Sequence, residues 1–277
     1  LFGLNIIEAP IDKDYYTVDI DQLRELALRE RPKLITLGGS LNLFQHPVSA
    51  VSSIAKEVGA TLLFDAAHQC GLIAGNAWEN PLDLGADVVT MSTYKSLGGP
   101  PGGAIVTNNA EIAEKIDSIA FPGMTANFDA AKSAALAVTM LDWKEFGKEY
   151  VTEMVLMSKT LASSLEEYDI PVFFGALGHT QSHQFAVLAE EFGGGQRASK
   201  LLRKSGFLAC GIGLPVKDLV GDMNGLRFGT PELVRWGMQA KHSFRLARLI
   251  SKALKGQTVT DEVSEWRKTF NKLHFVH

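Results

Sequence analysis

Two short apolar runs, each followed by polar side chains, dominate residues 61–103. The first run leads into Asp65, with His68 close behind it, and the second ends shortly before Lys95, which opens a loop rich in Gly and Pro. Apolar runs bounded by turn residues are typical of buried strands in a largely parallel sheet. Because parallel strands deliver their carboxyl ends to one edge, the stretch predicts a carboxylate, an imidazole and an amine at that edge.

These three groups suit pyridoxal phosphate, an organic cofactor that carries an aldehyde, a ring nitrogen and a phosphate. The amine of Lys95 can form an exchangeable Schiff base with the aldehyde. A carboxylate at Asp65 would keep the ring nitrogen protonated, so that the ring accepts electrons from a breaking substrate bond. His68 would stack on the ring or hydrogen-bond its phenolic oxygen. Arg227, on a short predicted strand, would hold a substrate carboxylate through two parallel hydrogen bonds.

Thr93, Ser96 and the amide groups of the loop at 98–103 are candidates to support the ring or the phosphate. Each candidate also has an ordinary structural alternative. A loop lysine is usually solvated, an aspartate after a strand is often a turn former, and GGPPGG lacks the Lys-Ser/Thr ending of a P-loop. His68 with Cys70 is too sparse a set for zinc, so no metal is expected. The order of the motifs along the chain favours the cofactor site.

Composition narrows the class of protein. The chain has 277 residues, of which 46% are hydrophobic, and its net charge is −4, with 27 basic and 31 acidic residues interspersed. This balance argues against nucleic-acid and membrane partners and favours a small-molecule substrate. The two cysteines form no CxxC pair, which predicts a reducing, cytoplasmic location. Since Leu1 is not Met and the chain opens like the middle of a domain, we expect that residues precede it.

The first half alternates apolar runs with amphipathic segments, which predicts βαβ units and a mostly parallel sheet covered on both faces. Strands are predicted at residues 33–38, 61–64, 86–92 and 103–107, and helices at 19–29, 47–58 and 110–119. The short loop before the last of these strands leaves room for an antiparallel pair. After a break at 121–128, residues 129–168 contain Gly147 but otherwise neither Gly nor Pro, which predicts one long helix or two joined by a kink.

The sequence of the second half predicts four short strands and three helices. The strands lie at 171–174, 184–188, 207–212 and 226–228, the helices at 197–205, 231–254 and 260–273, and a loop at 193–195. The predicted fold class is α/β, a three-layer sandwich with a mostly parallel sheet and a smaller C-terminal α+β domain. We assign residues 1–145 to the remainder of the large domain and 146–277 to the small one.

The motifs FDAAHQCGLIAG, DVVTMSTYKSLGGPPGG, TQSHQFAVL and GLRFGTPELVRWGM, in this order, resemble the serine hydroxymethyltransferase family of fold-type-I pyridoxal-phosphate enzymes. The resemblance implies that Lys95 is the Schiff-base lysine, Asp65 the partner of the ring nitrogen, His68 a cofactor contact and Arg227 the substrate-carboxylate arginine. It further implies a homodimer whose active sites are shared between subunits.

The same resemblance places Ser40, after the strand that ends in GGS, near the cofactor and the substrate, and His183 on a strand of the small domain. Several positions depart from the family pattern. Tyr94, a candidate catalytic residue, replaces the usual His before the lysine, and Pro101 replaces an Arg of the Gly-rich loop. The family's Asn near the pterin site is replaced within 210–212, so the use of tetrahydrofolate as co-substrate is left open.

The expected reaction is retro-aldol cleavage of the Cα–Cβ bond of serine, or of an α-substituted serine, in a hydroxymethyl transfer that yields a glycine-type amino acid. A folate-independent aldolase or transaldolase acting on threonine-like or α-methylated substrates is the alternative. An aminotransferase or decarboxylase of the same fold, or a non-catalytic relative, is less favoured because the order of motifs matches the hydroxymethyltransferases better.

Overall fold

The computed structural model describes residues 3–127, 129–173 and 177–277. The strands in chain order are β1 Ile11–Asp12, β2 Thr17–Val18, β3 Leu34–Gly38, β4 Thr61–Asp65, β5 Val88–Ser92, β6 Gly103–Val106, β7 Gln184–Leu188, β8 Cys210–Ile212 and β9 Gly225–Gly229. The helices are α1 Ile20–Glu30, α2 Val48–Val58, α3 Cys70–Ala74, α4 Ala110–Ser118, α5 Ala130–Glu166, α6 Gly195–Lys204, α7 Pro231–Arg235, α8 Ser243–Leu254 and α9 Thr260–Lys268.

The first half of the chain forms a mostly parallel sheet of order β3-β4-β5-β6. β3, β4 and β5 are parallel, while β6 pairs with β5 in the antiparallel sense that the short loop before it allowed. The register sets Gly38 opposite Asp65, and Asp65 opposite Thr90. The carboxyl ends of the parallel strands therefore meet at one edge, as the apolar runs predicted.

Local signals set the helix ends around this sheet. Asp19 caps α1, since its carboxylate accepts the Gln22 N–H at 3.0 Å and the Gln22 side-chain amide at 2.6 Å. Asp129 caps α5 by accepting from the N–H groups of Ala131 and Lys132. α1 packs on α2, and α2 lies against β3 and β4, so the apolar stripe of each helix is buried.

The second half forms an antiparallel sheet of order β7-β9-β8, against which α5 and α6 pack. α5 is one continuous helix of 37 residues, the first of the two alternatives predicted for this segment. Its C-terminal part buries Trp143, Tyr150, Met154 and Leu161 in a core cluster shared by residues of both sheets. The predicted division at residue 145/146 falls inside α5 and stays a prediction.

Four predictions about the second half are wrong in extent. The segment predicted as a strand at 171–174 contributes one isolated bridge, Val172 to Val187, and its last residue lies outside the described ranges. The strand predicted at 207–212 is confined to β8 and the helix predicted at 260–273 to α9. The helix predicted at 231–254 is interrupted between α7 and a single turn at Ala240–His242, because Gly237 adopts a left-handed conformation with φ +87°. The β1–β2 pair and α3 were not predicted.

The contact between α3 and α5 leaves no room for a side chain at Gly75. A Cβ atom there would lie 2.5 Å from Cγ1 of Val151 and 2.7 Å from the carbonyl oxygen of Gly147. We expect Gly75→Ala to lower the free energy of unfolding by about 1–3 kcal/mol, the usual cost of overpacking a core. Gly213→Ala is the matched control, because nothing lies within 4 Å of that Cβ position. Equal urea-denaturation midpoints for the two variants would contradict this packing.

Candidate active site

Asp65 lies at the end of β4, where the backbone of β3 approaches it closely. Gly38, opposite in register, has φ +90°, and a Cβ atom there would overlap the carbonyl oxygen of Asp65. The half-buried carboxylate accepts the N–H of Ala67 through Oδ1 at 2.9 Å. Asp65 therefore forms the turn after its strand, the ordinary role foreseen for it, and also lies at the shared strand edge.

Lys95 lies on a tight turn after β5 that Thr93 closes. The Thr93 hydroxyl donates to the carbonyl of Pro100 at 2.6 Å, and the Thr93 carbonyl accepts the N–H of Gly99 at 2.7 Å. From α5, Nε1 of Trp143 donates to the carbonyl of Leu97 at 2.7 Å. These bonds fix the path of the chain on both sides of Lys95, whose side chain is half-buried.

Ser96 links the Lys95 turn to His68. Its buried hydroxyl donates to the carbonyl of His68 at 2.6 Å and accepts the N–H of Gly71 at 3.0 Å. The hydroxyls of Ser96 and Thr93 are thus engaged with the backbone of the site itself. Both side chains therefore stabilise the turn that carries Lys95. Direct contact of Thr93 or Ser96 with a cofactor stays a prediction.

The electrostatics of His68 place the charged candidates around one imidazole. The pKa of His68 is lowered from 6.5 to about 4, mainly by burial and also by the positive charges of Arg227 and Lys95, while the carboxylate of Asp65 acts in the opposite direction. Near neutral pH the ring is uncharged and lies between two cations and an anion. The structure therefore brings Arg227, which is remote in the sequence, together with Asp65, His68 and Lys95.

Arg227 reaches this group from the second sheet. It lies on β9, opposite Ala186 on β7, and its Nη1 donates to the carbonyl oxygen of Ser40 at 2.5 Å. Ser40 is an exposed residue of the loop after β3, and its main-chain oxygen joins the two sheets beside the site. The guanidinium keeps its other N–H donors, which can bind a carboxylate.

The remaining candidates differ in burial. His183 is buried, its Nδ1 has no hydrogen-bond partner among the described residues, and burial with the charges of His68 and Arg227 lowers its pKa to about 3. Tyr94 is next to Lys95 in the sequence, and its side chain is 53% exposed. Within the described residues it makes no hydrogen bond to Asp65, His68, Lys95 or Arg227. A catalytic role for Tyr94 stays a prediction.

Sequence reasoning missed a buried polar network next to His68. Gln184 on β7 lies with its Nε2 3.3 Å from Nδ1 of His68 and 3.3 Å from the carbonyl oxygen of Ser40. Asn42 and His46 follow in the same network, with Oδ1 of Asn42 2.5 Å from Nε2 of His46. The one available signal was a Gln inside an otherwise apolar strand pattern, since a buried amide requires partners.

The residues fit pyridoxal phosphate by the chemistry of their side chains. An amine, a carboxylate, an imidazole and a guanidinium gather at the carboxyl ends of parallel strands, where open α/β sheets bind ligands. Within the described ranges no group of three or more His, Cys, Asp or Glu could hold a metal ion. No helix of that part of the chain is long and apolar enough to cross a membrane.

The fold defines the class of protein. The chain superposes on the crystal structure of L-threonine transaldolase from Pseudomonas fluorescens with a TM-score of 0.86 and 26% sequence identity, over 97% of this chain and 62% of that one. This is the fold type I of pyridoxal-phosphate enzymes, so the predicted fold class is confirmed.

The sequence comparisons identify the family. The serine hydroxymethyltransferase profile matches residues 3–250, and the chain belongs to that family of pyridoxal-phosphate enzymes. It is 56% identical over 280 residues to α-methylserine aldolase from a Ralstonia species, and 39% identical over 281 residues to serine hydroxymethyltransferase from Archaeoglobus fulgidus. These alignments cover 100% and 99% of this chain and 64% of each relative.

Three histidines with lowered pKa values predict a loss of stability in acid. The pKa values of His46 and His68 fall to about 4 and that of His183 to about 3, against 6.5 ordinarily. The unfolded chain then binds protons that the native state does not, so stability falls as the pH drops from about 6.5 to about 4, by at most ~1.4 kcal/mol per pH unit for each histidine. Urea unfolding between these pH values measures the fall.

In the variant His183→Asn the unfolded state should take up about one proton fewer relative to the native state, so the free energy of unfolding should fall less steeply with decreasing pH. His277→Asn is the control, because the exposed His277 ring donates hydrogen bonds to the carboxylates of Asp142 and Glu145, which raise its pKa, and its loss should not reduce the slope. An unchanged slope in His183→Asn would mean that His183 is not held neutral by its burial.

Proposed function

We propose that the protein uses pyridoxal phosphate to cleave the Cα–Cβ bond of a β-hydroxy amino acid, with an α-substituted serine as substrate. One observation carries the proposal: Asp65, His68, Lys95 and Arg227 lie around the same strand edge. When bound, the cofactor supplies an aldehyde that captures an amine and a cationic ring that stabilises negative charge at Cα.

Each residue has a role that its position supports. Lys95 holds the cofactor covalently from a turn that is fixed on both sides, and Asp65 keeps the ring nitrogen protonated from the end of β4. His68 contacts the cofactor as a neutral imidazole, since burial and neighbouring cations keep its pKa near 4. Ser40 contributes its carbonyl oxygen, which holds Arg227.

Arg227 orients the substrate by its carboxylate. Because Ser40 engages Nη1, the guanidinium is restrained before any substrate binds, and less conformational entropy is lost on binding. A carboxylate held there, together with an amine held at the cofactor, fixes two of the substituents on Cα. For a substrate of given handedness at Cα, the position of the bond to the hydroxyl-bearing carbon is then set as well.

The choice of an α-substituted serine rests on the comparisons. The protein is 56% identical to an enzyme named α-methylserine aldolase, against 39% for one named serine hydroxymethyltransferase. The replacement of the family's Asn by Cys210-Gly211-Ile212 at the pterin side agrees with an enzyme that releases formaldehyde without folate. Hydroxymethyl transfer to tetrahydrofolate is the second candidate, supported by the family profile over residues 3–250.

The proposal includes the state of assembly and the location of the protein. We propose a cytoplasmic homodimer in which each active site is shared between the two subunits. Both cysteines are free thiols, consistent with a reducing compartment. Large apolar side chains are exposed on β6, on the turn after α4 and on the first half of α5, and exposed apolar side chains in this number support an interface. They are Ile105, Val106, Ile119, Phe121, Met124, Val138, Met140 and Leu141.

Substrate tests distinguish the two candidate reactions. Full-length protein supplied with pyridoxal phosphate should convert α-methylserine to alanine and formaldehyde without tetrahydrofolate. Lys95→Ala should lose both this cleavage and the visible absorbance of the bound cofactor, because no other residue replaces its amine. Product release that requires tetrahydrofolate would favour the hydroxymethyltransferase instead, and absence of cofactor absorbance in the unsubstituted protein would sink the proposal.

The role of Arg227 is tested by a conservative substitution. Arg227→Lys keeps the charge but loses the two-pronged geometry, so we expect KM for the amino acid to rise about 10–100-fold, the worth of a hydrogen bond between charged groups. Arg24→Lys, in an exposed ion pair with Glu57, is the control and should leave KM unchanged. Equal KM values for Arg227→Lys and the unsubstituted enzyme would remove Arg227 from substrate binding.

A further inference from the structure

The side chain of Gln184 belongs to one sheet and makes its hydrogen bonds in the other half of the chain. Gln184 begins β7 and is 3% exposed. Its Oε1 accepts the backbone N–H of Asn42 at 3.5 Å, and its Nε2 lies 3.3 Å from the carbonyl oxygen of Ser40 and 3.3 Å from Nδ1 of His68. All the polar atoms of this buried amide thus have partners.

These partners determine which way the amide faces. A backbone N–H can only donate and a backbone carbonyl can only accept, so the oxygen must face Asn42 and the nitrogen must face Ser40. The amide nitrogen has two hydrogens, one for Ser40 and one for the imidazole of His68. Since that nitrogen cannot accept a hydrogen bond, Nδ1 of His68 must be the acceptor and carries no proton.

We propose that Gln184 is a positioning residue that holds His68 as the Nε2–H tautomer, so that His68 offers a hydrogen-bond donor to the phenolic oxygen of the cofactor. The proposal deepens the proposed function and rests on it for the identity of the cofactor. Within the described residues Nε2 of His68 makes no hydrogen bond to protein, which leaves its proton for a ligand. The tautomer decides the chemistry only while the ring is neutral. The charged and titratable groups around it, Asp65, Lys95, Arg227 and His183, are compatible with that state.

The same amide connects His68 to the substrate side of the site. The carbonyl oxygen of Ser40 accepts from Nε2 of Gln184 and from Nη1 of Arg227. A change at Gln184 therefore alters the surroundings of the cofactor contact and of the carboxylate-binding residue together. A residue that only filled space between the sheets would not affect the proton on His68.

The direct test is the protonation of the two ring nitrogens of His68. Full-length, cofactor-free protein labelled with ¹⁵N-histidine should show His68, assigned with His68→Asn, with its proton on Nε2. Gln184→Glu has the same shape but only accepts hydrogen bonds, so its carboxylate should draw a proton onto Nδ1. Gln184→Met has neither donor nor acceptor and should leave a mixture of both tautomers.

Asn224→Asp is the matched control, because Asn224 is another buried amide whose bonds go to Leu214, Val216 and Lys217 and not to His68. It should leave the His68 signals unchanged in protein whose circular dichroism shows that it is folded. A proton on Nδ1 in the unsubstituted protein would overturn the proposal. So would the unsubstituted tautomer persisting in both Gln184 variants.

A second readout concerns the cofactor itself. In the Gln184→Met variant the dissociation constant of pyridoxal phosphate should rise roughly 2–10-fold, the worth of one hydrogen bond. An altered tautomer with unchanged affinity would overturn the part of the proposal that assigns the donor to the cofactor. The unsubstituted protein failing to bind pyridoxal phosphate would contradict the proposed function, while the NMR result would still decide the role of Gln184.

Discussion

The long helix α5 is hydrogen-bonded to both elements that carry the reactive groups. Nε1 of Trp143 donates to the turn that follows Lys95, and the carbonyl of Met154 accepts the hydroxyl of Thr230, just after Arg227, at 2.7 Å. A single helix is a rigid rod over this distance, so the spacing of its anchor points fixes the spacing of the lysine turn and the arginine strand. Close packing of Gly75 against Gly147 keeps the helix from shifting.

Sequence patterns predicted the first sheet and its edge because they depend on local and periodic signals. Asp65 and Lys95 follow apolar runs, and parallel pairing brings the ends of such runs together without knowledge of distant contacts. The helix predicted over 231–254 failed where a single conformational fact, the left-handed Gly237, overrides the apolar period. The role of Gln184 was not predicted because its partners, Ser40 and His68, lie far away in the sequence.

The buried histidines show that the type of a residue does not by itself determine its protonation state, which depends on its surroundings. A histidine near a cofactor suggests proton transfer, yet His68 and His183 lie where burial and neighbouring cations disfavour the charged ring. In the cofactor-free chain both rings are neutral, and Nδ1 of His68 lies in hydrogen-bond range of Gln184 whereas Nδ1 of His183 has no partner among the described residues. The sequence predicts that such residues belong to the site, but only their surroundings determine whether they act as acids, donors or acceptors.

The hydrogen bonds to the carbonyl oxygen of Ser40 have a consequence for hybrid proteins in which the first half of one relative is joined to the second half of another. Its two donors, Gln184 and Arg227, both come from the second sheet and would be inherited together in a hybrid joined within α5. What the first half supplies is a main-chain atom, which every amino acid possesses. The second sheet therefore recognises the path and length of the loop after β3, and not the side chain at position 40.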